Sequence, residues 1–468
     1  MIIEQIYTGC LAQGAYYIES NGEVAIIDPL REVENYIDKA SKANAKIKYI
    51  FETHFHADFV SGHVTLAEKT GATIVYGSTA QTSYKSHVAT DGEVFKIGNI
   101  TITVLHTPGH TMESTSYLLK DENGRNHAIF SGDTLFLGDV GRPDLAQKGA
   151  LTQDDLAGFL YDSLRTKIMT LEDEVIVYPA HGAGSACGKN LSKETIGTIG
   201  DQKKTNYALR ADMTKEEFVK EVTDGLLPPP AYFPLNVKMN KEGYESIDEV
   251  IKKGAISLSV TDFENVANNT DAIILDVRHQ FDFIKGFIPQ SIFIGLGGTF
   301  APWVGALIKD VTQPILLITP VGEEETTIKR LSRVGFDNVL GYLDGSFETW
   351  KASGKEIDTL RSVSADDLEE AINNNAKVFD ARKPGEYSNE HIVDVPSTPL
   401  DFLNDHIEEF PKNEDFYIHC AGGYRSVIAA SILKARGYHN VIDVAGGYAA
   451  IKATNIARTV TVCPSTLK

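Results

Sequence analysis

Part of this chain is written twice, and a repeat limits it to folds that can be built in duplicate. Ala272-Ile273-Ile274-Leu275-Asp276-Val277-Arg278 returns 104 positions later as Ala376-Lys377-Val378-Phe379-Asp380-Ala381-Arg382. Arg333-Val334-Gly335-Phe336-Asp337-Asn338-Val339 returns 102 positions later as Ala435-Arg436-Gly437-Tyr438-His439-Asn440-Val441. Each copy reads as a strand, a polar loop, another strand, a helix and a turn ending in glycine. Two similar α/β domains follow, expected at residues 256–355 and 360–462.

The part before the repeat, expected to form a domain over residues 1–240, alternates apolar strand-like runs with helical ones. Ala15–Ile18 and Glu23–Ile27 flank Asn21-Gly22, a hairpin turn signal. Ile47–Phe51, Ile100–Leu105, Ser116–Leu119, Ala128–Phe130 and Val175–Tyr178 read as further strands, and His63–Thr70 as a helix stopped by Gly71. Phe218–Leu226 closes a helical stretch before Pro228-Pro229-Pro230 imposes an extended chain. Several strands end in residues with chemical potential, which places a site on loops at a sheet edge.

Those residues are Thr53-His54-Phe55-His56-Ala57-Asp58-Phe59, Thr107-Pro108-Gly109-His110, Ser131-Gly132-Asp133 and Tyr178-Pro179-Ala180-His181. Imidazole nitrogen and carboxylate oxygen are the usual ligands of borderline divalent metals. His54, His56 and Asp58 alternate, so an extended chain would point them the same way. The H-x-H-x-D motif with T-P-G-H and S-G-D resembles the metallo-β-lactamase superfamily, which implies an αββα sandwich for residues 1 to about 235. Dinuclear hydrolases of that superfamily usually carry His directly after the motif Asp; here the residue is Phe59, which cannot bind a metal. The pattern is closer to persulfide dioxygenases, and that resemblance implies one Fe(II) per chain held by His54, His110 and Asp133, with zinc as the alternative metal. His56, Asp58 and His181 would then orient ligands or water, or in the zinc alternative bind metal themselves. Arg142 is expected either to hold the carboxylate of a thiol carrier or to pair with Asp139 or Asp144, and Tyr178 to line the same pocket. Cys187, in a Gly-rich loop after His181, reads equally as a redox thiol and as a structural one.

In the second copy, Phe416-Tyr417-Ile418-His419 leads into Cys420-Ala421-Gly422-Gly423-Tyr424-Arg425-Ser426. A cysteine on a tight loop before a helix sits among inward-pointing N–H groups and near a positive helix end, which favours its thiolate. C-x-x-x-x-R, with Asp380-Ala381-Arg382, Glu386-Tyr387 and His391-Ile392 upstream, resembles the rhodanese sulfurtransferase loop, so Cys420 is expected to be the nucleophile and Arg425 to reach an anionic sulfur compound. The first copy keeps Asp276-Val277-Arg278 but reads Thr319-Pro320-Val321-Gly322-Glu323-Glu324-Glu325 at the loop, with no Cys and with carboxylates where the cation should be. Charges about 6 Å apart interact by roughly 2–3 kcal/mol at an effective dielectric near 20. Three carboxylates would expel an anion, so this copy is expected to be a catalytically inactive scaffold.

Together the chain is expected to be an α/β multidomain enzyme resembling persulfide dioxygenase–rhodanese fusions. It would oxidise a low-molecular-weight thiol persulfide with O₂ to sulfite and make thiosulfate through Cys420, serving sulfide detoxification. A glyoxalase-II-like zinc thiolester hydrolase, and a non-catalytic carrier storing persulfide on Cys420, are the other readings. The net charge of −20 argues against nucleic acid and anionic lipid as partners. No run of 18 apolar residues occurs, no secretory signal is expected, and the four cysteines form no close pair, so a reducing cytoplasm is expected; self-association is expected only as acidic multidomain enzymes of this kind often show it.

Overall fold

The computed structural model describes residues 1–145 and 151–459. Cys463 and the last residues of the span 360–462 lie outside them. The chain forms two compact units, Met1–Glu249 with Ser332–Gly335, and Val250–Leu331 with Phe336–Lys468.

The first unit holds two six-stranded sheets. One runs in sequence order through β1 (Ile2–Thr8), β2 (Gln13–Ser20), β3 (Glu23–Ile27), β4 (Lys46–Phe51), β5 (Thr73–Tyr76) and β6 (His87–Val88). The other comprises β7 (Val94–Ile97), β8 (Ile100–His106), β9 (Thr115–Lys120), β10 (Asn126–Gly132), β11 (Ile176–Pro179) and β12 (Gly197–Thr198). The β2–β3 hairpin turns at Asn21 and Gly22, both at positive φ (48° and 75°), as the turn signal requires.

Alternation along the strands builds the layers. Tyr16 and Ile18 of β2, Ala25 and Ile27 of β3, and Ala128 and Phe130 of β10 meet in the core between the sheets. Their neighbours Tyr17, Val24 and Ile26 face outward beneath Tyr36, Ala40 and Leu66 of the helices Glu34–Lys42 and His63–Thr70. Ile129 and Val177 face the opposite way, under Ala157 and Leu160 of the helix Gln153–Ser163. The result is the αββα sandwich.

The second unit contains the two copies as two parallel sheets. The first has the order β13-β17-β16-β14-β15, formed by β13 (Ser257–Leu258), β14 (Ile273–Asp276), β15 (Ile292–Phe293), β16 (Ile315–Ile318) and β17 (Val339–Leu343). The second has the order β18-β21-β20-β19, from β18 (Arg361–Val363), β19 (Lys377–Asp380), β20 (Phe416–His419) and β21 (Val441–Val444). The repeated Asp-x-Arg has one structural task in both. Arg278 Nη2 lies 2.6 Å from Asp276 and donates to the Gly286 carbonyl at 2.8 Å. Arg382 Nη2 lies 2.6 Å from Asp380 and donates to the Glu390 carbonyl at 2.8 Å. No helix among the described residues is long and apolar enough to cross a membrane.

Candidate metal centre and cysteine loop

The polar residues of the first unit gather where strands end. Asp28 follows β3, His54 to Asp58 follow β4, His110 follows β8, Asp133 follows β10 and His181 follows β11. His110 Nε2 is 3.4 Å and His54 Nε2 is 3.8 Å from Asp133 Oδ2. His110 Nδ1 sits 2.8 Å from the Arg142 carbonyl, so it carries the proton and Nε2 presents its lone pair to the site. His54 is kept neutral by burial and then by His56, His110 and His181, which is the state a metal needs. Neither oxygen of Asp133 has a hydrogen-bond partner, although the residue is 2 % exposed. A buried carboxylate without donors is costly unless a cation lies beside it. The orphaned Asp133 facing two imidazoles therefore fits a divalent metal. Close backbone approach makes this possible: a Cβ on Gly141 would lie 2.0 Å from the Asp133 carbonyl oxygen and 3.1 Å from His110 Nδ1.

The loop after β4 is irregular rather than extended, so the expectation that His54, His56 and Asp58 point one way is corrected. His54 joins His110 and Asp133, whereas His56 and Asp58 join His181, the donor atoms in each group lying within 4.8 Å of one another. His181 Nε2 is 3.4 Å from Asp58 Oδ2 and 3.6 Å from Asp133 Oδ1, which makes Asp133 common to both groups. Behind them, His56 Nε2 is 3.1 Å from Asp28 and 3.7 Å from Glu52. Burial opposes charge on His56, but these carboxylates carry its pKa up to about 9. Phe59 is fully buried, its ring centroid 4.3 Å from that of His56.

Of the two readings open for Arg142 the structure shows the ion pair, and Tyr178 departs from the expected pocket position. The guanidinium of Arg142 is committed to Asp144 (2.6 and 2.7 Å) and to the carbonyls of Ala186 (3.2 Å) and Leu227 (2.6 Å). It anchors loops, leaving no fork for a substrate carboxylate. Tyr178 belongs to the core between the sheets, stacked on Phe130 at 5.2 Å, because its position on β11 faces inward. Cys187 is buried, with Sγ in reach of Asp133 and His181. Burial, then Asp58 and Asp133, push its thiol up.

In the second unit Cys420 is buried at the end of β20. Its Sγ accepts the Gly423 N–H at 3.1 Å and the Ser426 hydroxyl at 3.5 Å. Arg425 donates to both oxygens of Glu386, at 2.6 and 2.9 Å, so the cation expected to meet an anion already has one. In the first copy Glu324 Oε1 accepts the Gly322 N–H at 3.0 Å, so a carboxylate occupies a loop amide and no thiol is present.

Sequence reasoning missed Asp28 and Glu52, and also the helix Phe233–Glu242 beyond the proline run. That helix sends Asn240 to the carbonyls of His56 and Phe59, both at 2.8 Å. Pro234 in its first turn was the available signal. Tyr232, just before it, is buried, and burial followed by the charge of Asp58 raises its phenol.

Residues 8–181 match the Metallo-beta-lactamase superfamily, and residues 259–353 and 364–454 match the Rhodanese-like domain. A metallo-beta-lactamase structure from Staphylococcus aureus subsp. aureus COL superposes with a TM-score of 0.64 at 30 % identity, over 73 % of this chain and 98 % of that one. The cytoplasmic hydroxyacylglutathione hydrolase of Arabidopsis thaliana is 33 % identical over 177 residues, 37 % of this chain. The mitochondrial persulfide dioxygenase ETHE1 of Mus musculus is 27 % identical over 220 residues, 47 % of this chain and 78 % of that protein. The chain spans 65 % of the Arabidopsis hydrolase and 60 % of a probable hydroxyacylglutathione hydrolase of Schizosaccharomyces pombe.

Proposed function

We propose that this chain, which belongs to the metallo-β-lactamase superfamily and carries two rhodanese-like domains behind that part, is a single-iron persulfide dioxygenase coupled to a sulfurtransferase. The observation that carries this reading is Phe59. It stands buried against His56 where a hydrolase with two metals needs another imidazole, while His54, His110 and Asp133 form a complete 2-His-1-carboxylate face. Ferrous iron there would supply the redox chemistry that lets dioxygen react with a sulfur compound. The chain's own groups do the rest. Thr53 and the Arg142 carbonyl orient the two imidazoles through their Nδ1 atoms. Asp28 and Glu52 hold His56 back from the same face. The buried surroundings exclude bulk water.

The overall reaction is RSSH + O₂ + H₂O giving RSH and sulfurous acid, ionised to sulfite. At Cys420 the thiolate attacks the outer sulfur of a second persulfide, forming Cys420–S–SH and releasing RS⁻. Sulfite then takes that outer sulfur as thiosulfate and returns the thiolate. The Gly423 N–H and Ser426 hydroxyl receive the negative charge on Cys420 in both states. Thiol persulfide, dioxygen and sulfite are the proposed partners, in a reducing cytoplasm, with neither nucleic acid nor membrane bound. The test is sulfite formation by Fe(II)-loaded protein with glutathione persulfide, in air and under argon. Sulfite in air alone, abolished by His54→Ala, supports the reading, and oxygen-independent turnover overturns it.

One observation favours a second reading, a zinc thiolester hydrolase with an accessory sulfurtransferase. His56, Asp58 and His181 lie close enough together for a second metal, with Asp133 reaching both groups. Two zincs per chain and cleavage of a glutathione thiolester without oxygen would mark it.

A further inference from the structure

The first rhodanese-like copy has no nucleophile, yet it touches the loop of the second copy that has one. Tyr424, between Gly423 and Arg425, donates its phenol to the carbonyl of Gly295 at 2.8 Å. Its ring meets Phe293 edge-on, centroids 5.9 Å apart. The fit is close: a Cβ on Gly295 would lie 3.2 Å from Tyr424 Cε2 and 3.1 Å from the Arg278 carbonyl. The same edge makes a second bond. β15 is the last strand of its sheet, and the Phe293 N–H donates to Ser431 Oγ at 2.9 Å, inside the helix Arg425–Ala435 that begins at the loop. Lys434 of that helix pairs with Asp358 at 3.1 Å.

The platform is itself fixed. Arg330, on the helix Glu324–Ser332 that follows the inactive loop, donates to the carbonyls of Leu296 and, at 2.9 Å, of Gly298. The other side of the cysteine loop is held from within its own domain, where Tyr448 N–H donates to the Cys420 carbonyl at 2.6 Å and Ala449 N–H to that of Ala421 at 3.0 Å. Residues 420–424 are thus clamped at both ends, one end by each copy. What lies between the clamps is Gly423, whose N–H points at Cys420 Sγ. Gly423 has φ of +91°, in the left-handed region, so its orientation depends on its neighbours being held.

We propose that the inactive rhodanese-like copy is a positioning element for the sulfur-carrying loop. Its 293–298 segment fixes Tyr424, and Tyr424 fixes the Gly423 N–H that supports negative charge on Cys420. The copy has no thiol of its own at this loop and presents the surface that makes its neighbour's loop rigid. Tyr424 is a positioning residue, since it acts on Cys420 only through Gly423. This rests on the rhodanese-like domains and not on the metal centre.

The test uses the full chain and Tyr424→Phe, which keeps the ring and removes only the bond to Gly295. The readout is the rate of Cys420 alkylation by iodoacetamide against pH, with Cys10, Cys187 and Cys463 replaced by serine in both proteins. Mass spectrometry confirms the site. The expected result is an alkylation midpoint shifted upward by about half a unit to one unit, with an unchanged melting temperature. Transfer of sulfur from thiosulfate to cyanide should lose several-fold in kcat with little change in KM. Ser431→Ala should shift the midpoint the same way by less. An unchanged midpoint in Tyr424→Phe, or a lowered melting temperature with an unchanged midpoint, would overturn the proposal by making the contact merely adhesive.

Discussion

Arg425 grips Glu386 with both terminal nitrogens, at 2.6 and 2.9 Å, so the cation of the cysteine loop is neutralised before any substrate arrives. An anion entering this loop must compete with a carboxylate fixed by its neighbours, including the Lys383 N–H at 2.9 Å.

Glu386→Gln should therefore favour anionic sulfur compounds. A partly exposed ion pair contributes up to about 1 kcal/mol, which corresponds to roughly a fivefold lower KM for thiosulfate. Steady-state kinetics at low and high salt check this, because the gain should shrink as salt screens it. An unchanged KM would show that Arg425 does not meet the substrate.

Asp443, behind Ser362 and 1 % exposed, has its carboxyl pushed up to about 6 by burial, with the hydroxyls of Ser426 and Ser362 acting against the shift. A folded pKa above the unfolded value means that the folded chain binds this proton more tightly. Asp443 is thus least costly below the ordinary carboxylate range, and its cost grows as pH rises through about 6, reaching roughly 3 kcal/mol. Asp443→Asn should gain stability over the parent as pH rises from 4 to 7, and the gain should level off above. Urea unfolding across that range tests it, and a difference independent of pH would contradict it.

Cys420→Ser should leave oxygen uptake with glutathione persulfide intact and stop thiosulfate formation, with sulfite accumulating instead. Chromatography of the sulfur anions decides this. Continued thiosulfate production would remove the last domain from the sulfur path.

Arg142→Met keeps the volume of a nearly buried side chain but strands Asp144 and frees the carbonyls of Ala186 and Leu227. Losing one partner of a buried pair costs about 3–5 kcal/mol, reduced toward 2 by the part-exposure of Asp144. A clear drop in melting temperature with near-normal KM for persulfide is expected. A large rise in KM at unchanged stability would restore Arg142 to the substrate.

The sequence displayed what repeats and what ends strands. The doubled Asp-x-Arg foretold two similar sheets because the same side chain closes the same loop in each. His54, His110 and Asp133 were legible because each follows an apolar run that could only be a buried strand. The choice of partner was not legible. Arg142 had carboxylates nearby in sequence as well as a hypothetical substrate, and only the fold shows Asp144 taking it. Tyr178 has the inward parity of its strand, which periodicity could have read as core. Asp28 and Asn240 come from another strand end and from a helix distant in sequence, and Glu52, four residues before His56, lies outside the H-x-H-x-D pattern, so no motif marks them as supports of His56 and Phe59. The contact from Gly295 to Tyr424 likewise joins residues 129 positions apart.

A single iron on the His54, His110 and Asp133 face is what the proposed dioxygenase needs. Elemental analysis of freshly purified protein, with the His54→Ala and His181→Ala variants alongside, tests it most directly. One iron per chain is expected, lost in His54→Ala and retained in His181→Ala. Two zincs per chain, with His181→Ala losing one of them, would contradict it.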